Sequence, residues 1–289
     1  MTSVLVFGES GQVARALSDN CPSDLSVYFA GRNSADLSVP GNAGALLEQV
    51  SPGWIINAAA YTAVDAAESE AGLAHRLNAE AVAEMASYAD QHQIPMVHLS
   101  TDFVFDGEKR EPYHPGDPTS PLGEYGRSKL AGELALLGLA PEQSMVIRTS
   151  WVYYEVGQNF VKTMLRLMEE RDTLSVVDDQ RGSPTYAGGL AEIIWQIVCG
   201  GRFVPGIYHW TDKGELSWYE FAVQISIEAA ARGLLDKPTP VAAIPTEAYP
   251  TPAARPAYSV LNSEKLENLL GITTKPWSDQ LKVMLDRLI

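Results

Sequence analysis

The sequence has little cysteine and no long apolar run. Its two cysteines, Cys21 and Cys199, lie far apart, so the chain offers neither a disulfide framework nor the paired spacing of a zinc site. No apolar stretch approaches the roughly 18 residues that a membrane-spanning helix needs. The first apolar strand begins at Val4, and we therefore expect no signal peptide. Together these absences favour a cytoplasmic protein without a membrane partner.

Positive charge is also scarce, since 21 lysines and arginines stand against 36 aspartates and glutamates, for a formal net charge of −15. This excess of negative charge argues against nucleic acid as a partner. An anionic ligand must then meet a local group of cations or a helix N-terminus. The five histidines are scattered without ligand spacing, and Asp65, Glu68 and Glu70 fit the solvated start of a helix, so we predict no metal site.

Short apolar runs alternate with helical patterns through residues 1–150. Alternation of this kind predicts a parallel sheet covered by helices on both faces, which is a Rossmann-type doubly wound α/β fold. We expect 186–210 to return to this NAD(P)-binding domain. Residues 151–185 and 211–289 are predicted to form mainly a smaller, discontinuous substrate-binding domain.

Two stretches give sharper local predictions. The alanine-rich run Glu68–Asp90 is predicted as one long helix. Six prolines between Leu234 and Tyr258 predict a segment without a regular element, because proline removes a backbone donor and restricts the chain. That segment is either a linker or a loop laid over a pocket.

The turn Gly8-Glu-Ser-Gly11-Gln-Val-Ala14 follows the first predicted strand and opens a helix. At this place a Rossmann fold binds a dinucleotide pyrophosphate, because glycines let the backbone approach and the helix N-terminus supplies N–H donors. The spacing G-x-x-G-x-x-A departs from the dinucleotide fingerprint, but its position between strand and helix is the expected context. The alternative interpretation is a plain tight turn.

The end of the second predicted strand bears on the choice of cofactor. NAD-specific sites usually place a carboxylate there for the ribose 2′-OH. Here the strand continues into Ala30-Gly31-Arg32 without a carboxylate, and Arg32 either accommodates the 2′-phosphate of NADPH or is simply solvated. We predict NADPH or NADH as the cofactor, with NADPH slightly favoured.

Tyr125 and Lys129 lie four residues apart in a predicted helix, so their side chains share one face. A nearby ammonium favours the phenolate and lowers the pKa of a tyrosine from its ordinary value of about 10. Such a pair can transfer a proton to or from a sugar oxygen. The same spacing also occurs by chance on helix surfaces, so only other motifs of the chain can show whether this pair is catalytic.

Six motifs follow one another along the chain. They are Asn57–Ser69, Leu99–Gly107, Tyr125–Glu133, Arg148–Tyr153, Asp179–Thr185, and Arg255-Pro256 with Ser259–Asn262. With these motifs the chain resembles, nearly end to end, the dTDP-4-dehydrorhamnose reductases of the extended short-chain dehydrogenase/reductase superfamily. One such string would mean little, but six in this order are specific to the family.

The resemblance implies that a reduced nicotinamide cofactor gives hydride to the C4 ketone of dTDP-4-dehydro-β-L-rhamnose, which yields dTDP-L-rhamnose. Tyr125 would protonate the nascent C4 alkoxide. Lys129 would lower the pKa of Tyr125 and hold the nicotinamide ribose. Thr101 would hydrogen-bond both the reacting oxygen and Tyr125 and complete a Thr-Tyr-Lys triad, since a donor aimed at developing negative charge stabilises the transition state.

The same matching, together with the glycine turn, implies two sets of binding residues. The cofactor set is Gly8, Ser10, Gly11, Gln12, Val13, Arg32, Asp36, Leu37, Ala58, Ala59, Ala60, Leu99, Tyr125 and Lys129. The substrate set is Thr101, Asp102, Trp151, Arg181 and Arg255. Trp151 would face the deoxy sugar, and the two arginines would bind the diphosphate. Trp151 as a core aromatic and Arg181 as a solvated loop residue remain the alternatives.

One departure from the family concerns the oligomer. Some relatives dimerise around a magnesium ion held by glutamates, one of them in the helix after the glycine turn. Here that helix reads Ala14-Arg15-Ala16-Leu17, without a carboxylate. We therefore expect a monomer or a homodimer without a bridging metal.

Other functions in the superfamily remain as rivals. A regulatory subunit of methionine adenosyltransferase shares this branch and would bind NADP(H) without turning over a sugar nucleotide. A 4,6-dehydratase typically needs an Asp-Glu pair after the active-site threonine, whereas Thr101 is followed by Asp102-Phe103. An epimerase can share the Tyr-Lys pair and would cause no net oxidation of its cofactor.

Overall fold

The computed structural model describes residues 3–289 of the chain. Within them the strands are β1 (Ser3–Phe7), β2 (Ser26–Ala30), β3 (Trp54–Asn57), β4 (Met96–Thr101), β5 (Ser144–Thr149), β6 (Val152–Tyr153), β7 (Leu174–Val177), β8 (Arg181–Gly182), β9 (Thr185–Tyr186), β10 (Gly206–His209), β11 (Leu216–Ser217) and β12 (Val241–Ile244). The α-helices of the same residues are α1 (Gln12–Asp19), α2 (Asn42–Val50), α3 (Val64–Ala67), α4 (Ala71–His75), α5 (Ala81–His92), α6 (Glu124–Leu139), α7 (Phe160–Glu170), α8 (Ala187–Gly200), α9 (Trp218–Ala231), α10 (Glu264–Leu270) and α11 (Trp277–Asp286).

Six of the strands form one parallel sheet in the order β2-β1-β3-β4-β5-β10. The order reverses at β1, because β2 lies on one side of it and β3 on the other. In register, Val6 of β1 pairs with Phe29 on one side and Ile56 on the other. This sheet confirms the predicted Rossmann-type α/β fold. In such folds ligands bind at the carboxyl ends of the strands, where the order reverses.

Each face of the sheet has its own apolar core. Val4 and Val6 of β1 face one core, while the alternating residues Leu5 and Phe7 face the other. In the first core α1 packs against α8, and the Trp195 indole donates its N–H to the carbonyl of Leu17 at 3.0 Å. A strand buried on both faces holds its carboxyl end in a fixed place.

The chain beyond residue 150 divides between the sheet and smaller pairs of strands. Strand β10 pairs with β5, and α8 packs on α1, so both lie with the large sheet. The pairs β6-β9, β8-β11 and β7-β12 lie outside it. The division into two domains, including the return of 186–210 to the first of them, stays a prediction. Across residues 3–289, no helix combines the length and apolar character needed to cross a membrane.

The predicted long helix over Glu68–Asp90 is helical without a break from Ala71 to His92, but it is not one regular α-helix. A π-helical turn, Arg76–Glu80, separates α4 from α5. The side chain of Asn78 in this turn accepts the Tyr61 N–H at 2.8 Å and donates to the Ser128 hydroxyl at 2.9 Å. These bonds tie the turn to the loop after β3 and to α6, and π-turns inside helices occur frequently at functional sites.

The proline-rich segment also differs from its prediction. Val241–Ile244 forms β12, which pairs in parallel with β7. Pro240 precedes this strand, and its carbonyl accepts the Leu174 N–H at 3.0 Å. Pro245 follows the strand, so neither proline interrupts it. The segment therefore contains a regular element, contrary to the prediction.

Candidate active site

A groove of about 690 Å³ opens at the carboxyl ends of β1, β3 and β4. Its lining runs from the glycine turn after β1, past Ala58–Ala60 after β3, to Thr101 at the end of β4. The lining includes every residue of the predicted cofactor set, and it also includes Thr101, Asp102 and Trp151 of the substrate set. The structure thus brings these residues together, while their individual roles stay predictions.

Gly8 lets the glycine turn pass close to the chain that leaves β3. Its φ is +115°, and a methyl group at this residue would lie 3.2 Å from the Ala58 carbonyl carbon and 3.3 Å from the Ala14 Cβ. A side chain here would therefore be strained and crowded. Gly11 begins α1 without a side-chain cap, so the first N–H groups of the helix are left for a ligand. The turn fits a dinucleotide pyrophosphate.

Thr101 and Asp102 lie buried at the carboxyl end of β4. The Thr101 hydroxyl donates to Asp102 Oδ1 at 3.0 Å and accepts the Phe103 N–H at 3.2 Å. Asp102 Oδ2 is buried without a hydrogen-bond partner among the described residues. Burial raises the pKa of Asp102 to about 6, although the nearby Ser259 hydroxyl and the hydrogen bond from Thr101 lower it. An unpartnered polar atom at this place suits a hydrogen bond with a ligand.

Tyr125 lies in the first turn of α6, with its ring edge-on to Phe103 at a centroid distance of 5.5 Å. Burial raises the pKa of Tyr125 to about 12, the nearby Thr101 hydroxyl lowers it, and the charge of Asp102 raises it. The shift is therefore opposite to the predicted lowering by Lys129, because burial outweighs the other influences. A phenol with this pKa is protonated at neutral pH, which is the form that can donate a proton.

Lys129 is buried one turn further along α6. Its Nζ donates to the carbonyl of Leu99 at 2.7 Å. Burial lowers the pKa of Lys129 to about 8, and the charge of Glu133 partly offsets this shift. Glu133 forms a buried ion pair with Arg148 at 2.6 Å. These contacts anchor the lysine amine against the end of β4, beside the groove.

Trp151 follows β5 and has a φ of +46°, a left-handed conformation that is rare for a bulky residue. Its indole stacks on Trp218, with ring centroids 3.4 Å apart and planes 10° apart. A methyl group on Gly182 would lie 2.5 Å from the Trp151 ring, so the missing side chain makes room for it. Trp218 is the first residue of α9, which a capping box of Ser217 and Glu220 stabilises. Neither partner of Trp151 follows from the sequence.

Arg181 and Arg255 lie outside the lining of the groove, and each pairs with carboxylates. Arg181 lies 3.4 Å from Glu215 and 3.4 Å from Glu220. Arg255 forms an ion pair with Asp65 at 2.8 Å. To bind a diphosphate, either arginine would have to exchange these partners, and this role stays a prediction.

The groove also contains residues outside the predicted cofactor and substrate sets. They are Glu9, Ala30, Gly31, Ala35, Thr62, Val64, Leu77, Ser100, Phe103, Thr149, Ser150, Val152, Gly157, Gln158 and Asn159. Asn159 reaches the groove because its Nδ2 donates to Gln12 Oε1 at 2.8 Å. Its side chain also accepts the Lys162 N–H at 3.0 Å and caps α7. The cap is a recognisable sequence signal for a helix start, but it does not reveal the contact with Gln12.

Carboxylates near α1 bear on the question of a metal. Among residues 3–289, no group of three or more His, Cys, Asp and Glu side chains could hold a metal ion. Helix α1 extends to Asp19, so the expectation that it carries no carboxylate is wrong. Asp19 accepts the hydroxyl of Tyr154 at 2.8 Å, which engages this carboxylate within the chain.

Comparison with known proteins gives matches over the whole length. Residues 1–289 match a family model described as the RmlD substrate binding domain. A dTDP-4-dehydrorhamnose reductase from Aggregatibacter actinomycetemcomitans is 41% identical over 290 residues, which covers 98% of each chain. A solved dTDP-4-dehydrorhamnose reductase from Clostridium acetobutylicum has a TM-score of 0.92 and 35% identity, with 99% of both chains covered. A Bacillus anthracis reductase solved in complex with NADP has a TM-score of 0.91 and 33% identity, covering 99% of this chain and 100% of that one.

Proposed function

Because this chain belongs to the dTDP-4-dehydrorhamnose reductase family, we propose that it reduces the C4 ketone of dTDP-4-dehydro-β-L-rhamnose to dTDP-L-rhamnose with NADPH or NADH. The observation that carries this function is the single groove in which the glycine turn meets Thr101, Tyr125 and Lys129. The NADP complex of the Bacillus anthracis relative supports a nicotinamide cofactor. The engagement of the Asp19 carboxylate of α1 by Tyr154 supports a monomer or a homodimer without a bridging metal as the active unit.

The chain's own residues supply the proton of the reaction. A reduced nicotinamide, when bound, supplies the hydride. Tyr125 donates its hydroxyl proton to the C4 oxygen, so the phenol O–H bond breaks as the alcohol O–H bond forms. The Thr101 hydroxyl, by exchanging its bond to Asp102 Oδ1, donates to the same oxygen and stabilises its developing negative charge. Lys129, held on the Leu99 carbonyl, stabilises the phenolate that remains.

Asp102 and Trp151 hold the sugar in this proposal. The buried Asp102 Oδ2, which lacks a partner among the described residues, is available for a sugar hydroxyl. Trp151 offers an apolar surface to the deoxy sugar. Arg181 and Arg255 reach the diphosphate by exchanging their present carboxylate partners.

The decisive experiment follows absorbance at 340 nm with purified protein, NADPH or NADH, and enzymatically generated dTDP-4-dehydrorhamnose. We expect a substrate-dependent fall that matches the dTDP-L-rhamnose formed. Cofactor binding without any fall would instead indicate a regulatory protein. A changed sugar nucleotide without net oxidation would indicate an epimerase, and either result would overturn the proposal.

A further inference from the structure

The side chain of Glu9, from the glycine turn, lies across the end of β2. A methyl group built on Gly31 would overlap the Glu9 carboxylate and would lie 3.1 Å from both the Cβ and the Cδ of Glu9. The carboxylate therefore fills the space that a side chain at residue 31 would need. Both residues line the groove.

This position is the one that distinguishes the two nicotinamide cofactors. Gly31 directly follows β2, where NAD-binding Rossmann folds place an acidic residue for the ribose 2′-OH. The sequence has no carboxylate at the end of β2. The fold, however, brings the Glu9 carboxylate to that place. An ionised carboxylate accepts hydrogen bonds from a ribose hydroxyl, but it repels a 2′-phosphate.

Arg32 is the competing group, since it is exposed, follows Gly31 and also lines the groove. Its charge acts on Asp36, whose pKa is lowered mainly by hydrogen bonds from Ser38 and also by Arg32. The two acidic side chains Glu9 and Asp36 outnumber the one basic side chain Arg32 here. This excess of negative charge weakens the binding of the dianionic 2′-phosphate of NADPH.

We infer that Glu9 is a specificity-determining residue that selects NADH over NADPH. The inference rests on the proposed function and reverses the slight preference for NADPH that the sequence predicts. Glycine at residue 31 leaves the space that the Glu9 carboxylate occupies, and a side chain there would have to move that carboxylate aside.

The test measures cofactor binding by calorimetric titration of the full chain with NADH and with NADPH, in the absence of sugar nucleotide. We expect the wild-type protein to bind NADH about tenfold more tightly, equivalent to about 1.4 kcal/mol. Glu9→Gln should remove most of this difference by strengthening NADPH binding, and Glu9→Lys should reverse it. Arg32→Gln is the matched charge control, and it should weaken NADPH binding while leaving NADH binding nearly unchanged.

Gly31→Ala tests the packing of Glu9 on residue 31 without changing any charge. Like Glu9→Gln, it should reduce the preference for NADH over NADPH. Thermal unfolding checks that each variant is folded. A wild-type preference for NADPH, or an unchanged ratio in Glu9→Gln, would overturn the inference. Because the titration needs no turnover, its failure leaves the reductase function intact, and absence of sugar reduction leaves the binding ratio unaffected.

Discussion

Trp151 and Trp218 form a parallel stack with ring centroids 3.4 Å apart, and Trp151 keeps a φ of +46° within it. A left-handed conformation costs a residue with a side chain roughly 1–2 kcal/mol. Contacts with Trp218 and with the backbone at Gly182 offset that cost. The orientation of Trp151 at the groove is therefore set by α9 and β8, not by the loop that carries it.

Loss of this stack should weaken substrate binding more than it slows chemistry. An aromatic pair contributes about 0.5–1.5 kcal/mol beyond area burial. We expect Trp218→Ala to raise the KM for the sugar nucleotide about three- to tenfold, with a smaller change in kcat and no change in cofactor affinity. Trp218→Phe keeps an aromatic face and should retain most of the wild-type KM. A fall in kcat at constant KM would contradict a positioning role.

Removal of the Tyr125 hydroxyl should abolish most turnover while cofactor binding persists. General acid catalysis contributes about 10²–10⁴-fold, so kcat of Tyr125→Phe should fall within that range. Tyr28→Phe is the control, because the Tyr28 hydroxyl lies at the surface and donates to Ser34 at 3.0 Å. Full activity in Tyr125→Phe would exclude Tyr125 as the proton donor.

The reaction should become slower as Lys129 loses its charge. Burial lowers the pKa of Lys129 to about 8, so the ammonium is present below this pH and is lost as the pH rises through it. We expect kcat/KM, which reports the free enzyme, to fall above about pH 8. NMR titration of the Lys129 side chain should give the same midpoint, with Lys129→Met to identify its signal. A profile that stays flat well above that pH would show that the ammonium is not required.

Asp212 should make the folded protein less stable as the pH rises. Burial raises the pKa of Asp212 to about 8, although a hydrogen bond from the Tyr186 N–H, at 2.8 Å, lowers it. An aspartate in the unfolded chain titrates near ~3.9, so between about pH 4 and 8 the folded state binds more protons. The free energy of unfolding then falls with rising pH, by at most about 1.4 kcal/mol per unit.

Asp212→Asn should flatten that decline, because the asparagine carries no charge at any pH in the window. Urea unfolding at several pH values between 4 and 8 gives the slope for each protein. Asp172→Asn, at an exposed position after α7, is the matched control and should keep the wild-type slope. Equal slopes in the wild type and Asp212→Asn would contradict this assignment.

Much of the groove follows from local sequence. The glycine turn, Ala58–Ala60 and Thr101 each follow or end a strand whose place in a parallel sheet is fixed by the βα alternation. The spacing of Tyr125 and Lys129 places both on one face of α6. These residues meet because the carboxyl ends of parallel strands share one edge of the sheet.

Contacts between distant segments do not follow from the sequence. No periodicity indicates that Trp218 meets Trp151 or that Glu9 meets Gly31. The predicted diphosphate contact of Arg181 rests on charge and loop position, and in an acidic protein a lone arginine readily finds a carboxylate such as Glu215. The pKa of Tyr125 also depends on burial, which a spacing of four residues does not reveal.

The π-turn Arg76–Glu80 connects α4 to α5 and changes the direction in which the side chains of α5 point relative to those of α4. Successive side chains of an α-helix are rotated by about 100° about its axis. The wider π-turn therefore sets which side chains of α5 lie on the same face as those of α4. Leu77 of the turn lines the groove, while Val82 and Met85 of α5 enter the core. A single-residue deletion in this turn would rotate either Leu77 away from the groove or Val82 and Met85 away from the core. In this stretch the protein is therefore more sensitive to a change in the number of residues than to a conservative change in their identity.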